Sequence, residues 1–166
     1  MSSLSERLNI VRGRIAEACS RSGRCVDEIT LVVVTKTATL DELKEAVGLG
    51  CLDLGENRVQ HLKSVHEEVE RYVLDKRTEE GEGVIGRPSW HMIGHLQRNK
   101  VKSAIKLVSM IHSVDTLRLG EEINSACSKL DLRPEVLIQV NCSQEPQKYG
   151  APVGAAVHLA EQFCSM

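Results

Sequence analysis

The stretch Leu31-Val32-Val33-Val34-Thr35-Lys36, followed by the turn-like Thr37-Ala38-Thr39, decides how this chain is read. It is too short for a helix, rich in β-branched residues, and apolar until its end. Such a run reads as a strand at about residues 30–35, buried on both faces as in parallel sheets covered by helices. A lysine at the C-terminal end of that strand sits at the mouth of the sheet, where α/β folds gather their chemistry. Desolvation there would lower its pKa, and a neutral amine forms a Schiff base with an aldehyde. Taken alone, Lys36 reads more readily as an ordinary lysine snorkelling out of a strand end.

Outward from this strand the chain alternates. Leu4, Leu8, Val11, Ile15 and Ala18 recur at helical spacing and predict a helix over residues 3–21, ended by Ser22-Gly23-Arg24. Thr39-Leu40-Asp41-Glu42 is a capping box opening a short helix that Gly48 and Gly50 stop. Cys51 to Gly55 reads as a second strand, and Val59, Leu62, Val65, Val69 and Val73 mark a third helix. Further strands are expected at Trp90–His95, Ser109–Asp115 and Val136–Asn141, with helices at Leu96–Leu107, through Leu119–Leu130, and from Pro152 onward. One helix followed by five strand–helix units, in a chain the size of one domain (residues 1–166), implies a parallel α/β fold. This pattern does not separate an open sheet from a barrel.

Between Asp75 and Ser89 lies a charged loop with a literal G-x-G-x-x-G at Gly81, Gly83 and Gly86. A dinucleotide fingerprint needs a strand before it and a helix after it. Here a charge run precedes it and Arg87-Pro88 follows, so the segment reads as a mobile surface insertion.

A net charge of -2 gives no electrostatic footprint for nucleic acid, and 2% aromatic residues supply no stacking platform. No apolar stretch approaches a membrane span, and the first residues lack a signal-peptide core, so the expected location is cytoplasmic. The six cysteines, at 19, 25, 51, 127, 142 and 164, show no C-x-x-C and read as free thiols, mostly buried. His91-x-x-x-His95 lacks the glutamate of a zincin, and Gly94 argues against the helix that pattern needs, so no metal site is assigned.

The strand ends carry polar groups in order: Lys36; Gly55-Glu56-Asn57-Arg58; His91 with Gly94-His95; His112-Ser113-Val114-Asp115; and Asn141 before Lys148-Tyr149-Gly150. Polar residues gathered at the C-terminal ends of parallel strands indicate a site. Each alone has a plain explanation: Asn57 as a helix cap, His112 as a satisfied core histidine, Asn141 as a turn residue.

In sequence these segments resemble the pyridoxal phosphate homeostasis family, single-domain relatives of the alanine racemase N-terminal barrel. The matching stretches are Leu31–Thr37, Leu54–Gln60, Trp90–Lys100, Ile111–Asp115 and Val136–Asn141, the third being the most specific. The resemblance implies a TIM-type β/α barrel of PLP fold type III, and a pyridoxal 5'-phosphate (PLP) carrier in vitamin B6 balance without established turnover. It implies Lys36 as the Schiff-base lysine, with Asn57, His91 and Ser113 as cofactor-binding residues. Apo-enzymes that need PLP would be its partners, with neither nucleic acid nor membrane involved.

Two departures qualify this. A complete barrel has eight strands and about 250 residues, whereas five strands are counted here, so the chain looks C-terminally truncated. The family's phosphate cradle belongs to the missing part, which predicts a weakened hold on PLP. Tyr149 also stands where the family has a small residue. The alternatives are a racemase-like enzyme, which needs a second acid/base on the opposite ring face and has only Tyr72 and Tyr149 to offer, or a fragment that does not bind.

Overall fold

Ser3 caps the first helix: its hydroxyl accepts from the Glu6 N–H at 3.1 Å, and the Glu6 carboxylate accepts from the Ser3 N–H at 2.9 Å. This reciprocal pair satisfies two of the N–H groups a helix start leaves free. The structure, a computed structural model, describes residues 2–80 and 85–166. Helix α1 (Leu4–Ser22) closes at Gly23, whose φ of 69° is the left-handed conformation glycine adopts without strain. Strand β1 (Val33–Val34) leads to α2 (Leu40–Gly48), capped by Thr39 and Glu42 as the sequence predicts. Then come β2 (Asp53–Glu56), α3 (Val59–Glu80), β3 (Ser89–Met92), the short α4 (Val101–Ala104), β4 (Met110–Val114), α5 (Leu117–Leu130) and β5 (Glu135–Ile138). The chain continues through β6 (Val140–Asn141), β7 (Ala151–Pro152) and α6 (Ala156–Cys164).

Strands β1 to β5 form one parallel sheet in sequence order, and β6 and β7 pair separately, also in parallel. The two strand faces differ in character. Leu54, Trp90, Met92 and Ile111 pack with Leu62, Val69 and Val73 of α3 and with Leu119 and Ile123 of α5 in one apolar core. Residues of the other parity, Asp53, Gly55, Ser89, His91, Met110 and His112, look away from that core.

Several expectations change. The first strand is not buried on both faces: only Val33 and Val34 are in the ladder, and Val34 is 52% exposed. As the edge strand β1 has one strand neighbour, and helices cover only its Val33 side. The third helix runs on to Glu80, so residues 75–80 are helical rather than loop, because Lys76, Arg77 and Glu79 favour a helix as readily as solvent. Gly81 and Gly83 lie outside the described residues, and with them the expected mobility of that segment. Gly86 is packed on Leu52. The helix expected over Leu96–Leu107 is reduced to a 3₁₀ turn at Arg98–Lys100 and the single turn of α4. The fifth strand breaks at Gln139, and Pro152 ends β7 rather than opening α6, which starts at Ala156. All six cysteines are free, but only Cys19, Cys51 and Cys127 are buried. No helix among the described residues is long and apolar enough to cross a membrane.

Candidate functional site

Strand β1 ends two residues before Lys36, and the intervening Thr35 ties the strand end to β2. Its N–H donates to the Gly55 carbonyl at 2.9 Å, and its hydroxyl donates to Glu56 Oε1 at 2.6 Å. The Thr35 carbonyl in turn accepts from the Ala38 N–H at 2.9 Å, closing the turn that displays Lys36. Lys36 is exposed, so the desolvation expected from a buried strand end is not supplied by the protein here. By parity it continues the Val32–Val34 face, turned from the helices, while Thr35 faces the core side with Glu56.

Asn57 follows β2 directly and Arg58 immediately precedes α3, so both reach the same place as Lys36. Lys36, Thr37, Asn57, Arg58 and His61 line one cleft of about 360 Å³. The Lys36 amine has no hydrogen bond or ion pair among the described residues. Behind the cleft lies Glu56, fully buried. Its Oε2 is 2.9 Å from His61 Nδ1, though neither atom has a partner in hydrogen-bond geometry.

His91 and Ser113 do not line this cleft. His91 is 5% exposed, and both its ring nitrogens are engaged: Nδ1 is 2.9 Å from His112 Nε2, and Nε2 is 3.0 Å from Asp53 Oδ1. The Asp53–His91–His112 row lies on the face turned from the helices, with His91 one pleat deeper than Lys36 and Asn57. Burial, and then the nearby His91, hold the His112 pKa below the usual imidazole value. Ser113 is 1% exposed and donates to the Gly94 carbonyl at 2.5 Å, so it fastens the loop after β3. That loop presses on the site: a Cβ at Gly94 would lie 2.7 Å from Asn57 Cα.

A second cleft, of about 470 Å³, opens beyond β3 and β4, lined by His95, Arg98, Asp115, Arg118 and Tyr149 among others. Tyr149 stacks on His95 with ring centres 3.8 Å apart, which is how a large side chain is accommodated at that position. Tyr72 lies elsewhere, its hydroxyl against Gly48 of α2 and its ring 5.9 Å from the Lys44 amine. No group of three or more metal-ligating side chains occurs among the described residues.

The sequence alone does not single out His61 and Asp53. One turn of helix after Arg58 brings His61 back over the cleft, and period-two alternation from Gly55 puts Asp53 on the His91 face. Both signals are present in the chain, but each needs the strand register to become meaningful.

The chain matches no protein-family model. It is 35% identical over 145 residues to the pyridoxal phosphate homeostasis protein of Aquifex aeolicus, covering 87% of this chain and 58% of that protein. To the Escherichia coli protein of the same name it is 35% identical over 162 residues, covering 96% of this chain and 64% of the relative. The chain thus spans about three fifths of the length of these relatives. Among solved structures, a Bifidobacterium adolescentis protein described as unknown superposes with a TM-score of 0.85 at 29% identity, over 98% of this chain and 64% of that one. PipY of Synechococcus elongatus, solved with PLP bound, superposes with a TM-score of 0.66 at 27% identity, over 89% of this chain and 63% of that one. Over the stretch it shares with these relatives, the chain is similar to the pyridoxal phosphate homeostasis proteins.

Proposed function

We propose that this chain binds pyridoxal 5'-phosphate covalently through Lys36 and serves cytoplasmic vitamin B6 balance as a carrier rather than as a turnover enzyme. One observation carries the reading: an exposed primary amine, an amide and a guanidinium meet in one cleft at the C-terminal ends of two adjacent parallel strands. Its volume of about 360 Å³ lies within the range of small-ligand sites. When bound, the cofactor supplies an aldehyde carbon that a primary amine can attack. Lys36 is the amine, Asn57 can hydrogen-bond ring substituents, and Arg58, beside the first turn of α3, offers the phosphate a charge-assisted partner. PLP bound in PipY supports the assignment.

His91 and Ser113 act in this reading by holding the strands and the loop behind the cofactor, not by touching it. A weak hold on phosphate also belongs to the proposal, because among the described residues Arg58 and Lys36 are the only cations lining the cleft, His61 aside. We further propose that residues 1–166 form a single domain whose five strands are an arc of a β/α barrel, and that PLP-requiring apo-enzymes are the recipients. The racemase reading is disfavoured by geometry: Tyr72 packs on α2 and Tyr149 lines the other cleft.

The test is borohydride reduction of the chain with PLP, followed by peptide mapping. Label on Lys36, lost in Lys36→Ala, is expected. Label spread over other lysines, or none, would refute the assignment.

A further inference from the structure

The least explained pair in the molecule is Glu56 and His61. Glu56 is fully buried, and its Oε1 accepts from Thr35, but its Oε2 has no hydrogen bond among the described residues. Burying a carboxylate oxygen without a donor is costly. His61 Nδ1 lies 2.9 Å away, itself buried and without a hydrogen bond among the described residues. A small rotation of the imidazole would satisfy both atoms at once. The His61 side chain is nevertheless 33% exposed. Since Nδ1 is buried, that exposure lies on the rest of the side chain, and His61 lines the Lys36 cleft.

We propose that His61 is the acid–base group of the Lys36 cleft, with Glu56 as its positioning residue. A carboxylate on Nδ1 fixes the tautomer and leaves Nε2 to exchange protons with whatever occupies the cleft. The inference rests on the reading of Lys36 as the PLP-bonding amine. Joining an amine to an aldehyde is accelerated by such a group. The nitrogen adds to the carbonyl carbon, the carbon–oxygen π bond opens, and a proton passes from nitrogen to oxygen. The hydroxyl then leaves as water by taking a proton from His61 Nε2, and the nitrogen's remaining proton returns to the imidazole. Release runs the same steps backward, with the imidazole drawing a proton from the attacking water. Amine and aldehyde go to imine and water with no other reactant. A carrier needs both directions to be fast, so an acid–base group suits a protein that must deliver its cargo.

Such a residue changes rates in both directions equally and leaves the equilibrium alone, which a merely structural role would not do. The experiment uses PLP as the probe, with stopped-flow absorbance for loading and dilution into an amine trap for release. In His61→Gln, both rates should fall by about a hundredfold, the low end for a positioned acid–base group, with the Kd unchanged. Added imidazole should restore part of the loss. Glu56→Gln should slow the wild-type chain but add nothing to His61→Gln. Wild-type rates in His61→Gln, or a changed Kd because only one of the two rates moves, would overturn the role of His61 while leaving Lys36 trapping intact. Absence of any trapped adduct on wild-type Lys36 would overturn both readings.

Discussion

Gly94→Ala tests whether the site is held by backbone contact. The added Cβ would lie 2.7 Å from Asn57 Cα and 2.8 Å from Asn57 Cβ. Carbon atoms in van der Waals contact are about 3.5–4.0 Å apart, so the two segments must separate by roughly 1 Å. The obstacle is largely main chain, which no rotamer change can remove. Both sides are also tied: Ile93 N–H donates to the Glu56 carbonyl at 2.9 Å, and Ser113 holds the Gly94 carbonyl at 2.5 Å. Overpacking of this kind costs about 1–3 kcal/mol, and losing one of those hydrogen bonds adds about 1 kcal/mol. The alanine's effect on the unfolded chain returns about 0.4–1 kcal/mol. A net loss of about 1–3.5 kcal/mol is expected, measurable as a lower urea midpoint at unchanged slope. The displacement is directed at Asn57, so trapping of PLP on Lys36 should fall as well, in the folded fraction. Ser113→Ala frees the same loop and should couple to Gly94→Ala by at least about 0.5 kcal/mol in a double-mutant cycle. Stability within about 0.5 kcal/mol of wild type, as for an ordinary surface substitution, would refute the argument. So would unaltered Lys36 trapping.

Gly120→Ala is expected to cost less, about 1 kcal/mol, because its Cβ would meet the Phe163 ring (Cζ at 2.8 Å), a side chain of α6 that can turn aside; the same urea titration measures it. Thr39→Ala should let Glu42, now held below its ordinary pKa mainly by the Thr39 backbone N–H and then its hydroxyl, titrate closer to a free carboxylate by NMR. Since the folded value is the lower one, the Glu42 contribution is present above the unfolded carboxylate range and is lost as pH falls through the folded value. For His112 the folded pKa is also lowered, but a histidine so shifted favours its neutral form. The folded state therefore loses stability as pH drops from the unfolded value, about 6.5, toward the folded one. His112→Gln should flatten the urea midpoint between pH 7 and 5, and an unchanged pH slope would show that His112 does not titrate as described.

The order of the strands was legible because apolar runs and amphipathic runs alternate, and parallel sheets record that alternation directly. What was misread concerns coverage. Leu31 to Val34 looks buried on both faces because all four residues are apolar, yet Val34 is open and Val33 is covered, since an edge strand with helices on one side has only one core-facing residue in two. Lys36 and Asn57 were legible as neighbours because both follow strands directly. His91 and Ser113 were recognisable as strand residues of consequence, but their roles depend on register: His91 sits opposite Gly55, one pleat below Asn57, and meets Asp53 and His112 instead of the cleft. The end of α3 and the shortness of α4 were not legible, because charged residues such as Lys76 and Arg98 serve helix and loop alike.

The position of Glu56 bears on whether the Lys36 cleft is a site at all. Strand β1 contributes only two residues to the ladder, too little to hold Lys36 by strand pairing alone. Thr35 makes up the difference through two bonds to β2, one to the Gly55 carbonyl and one to the Glu56 carboxylate. For an anchor alone, a buried carboxylate is a poor choice. An asparagine or a second threonine could accept the Thr35 hydroxyl without bringing an acidic group and an unmatched oxygen into the core. In the reading proposed above the second oxygen positions the imidazole of His61, 2.9 Å away, which lines the same cleft as Lys36. A local stability cost at the end of an edge strand, beside an exposed amine, is where a protein departs from the best-folding choice for the sake of chemistry.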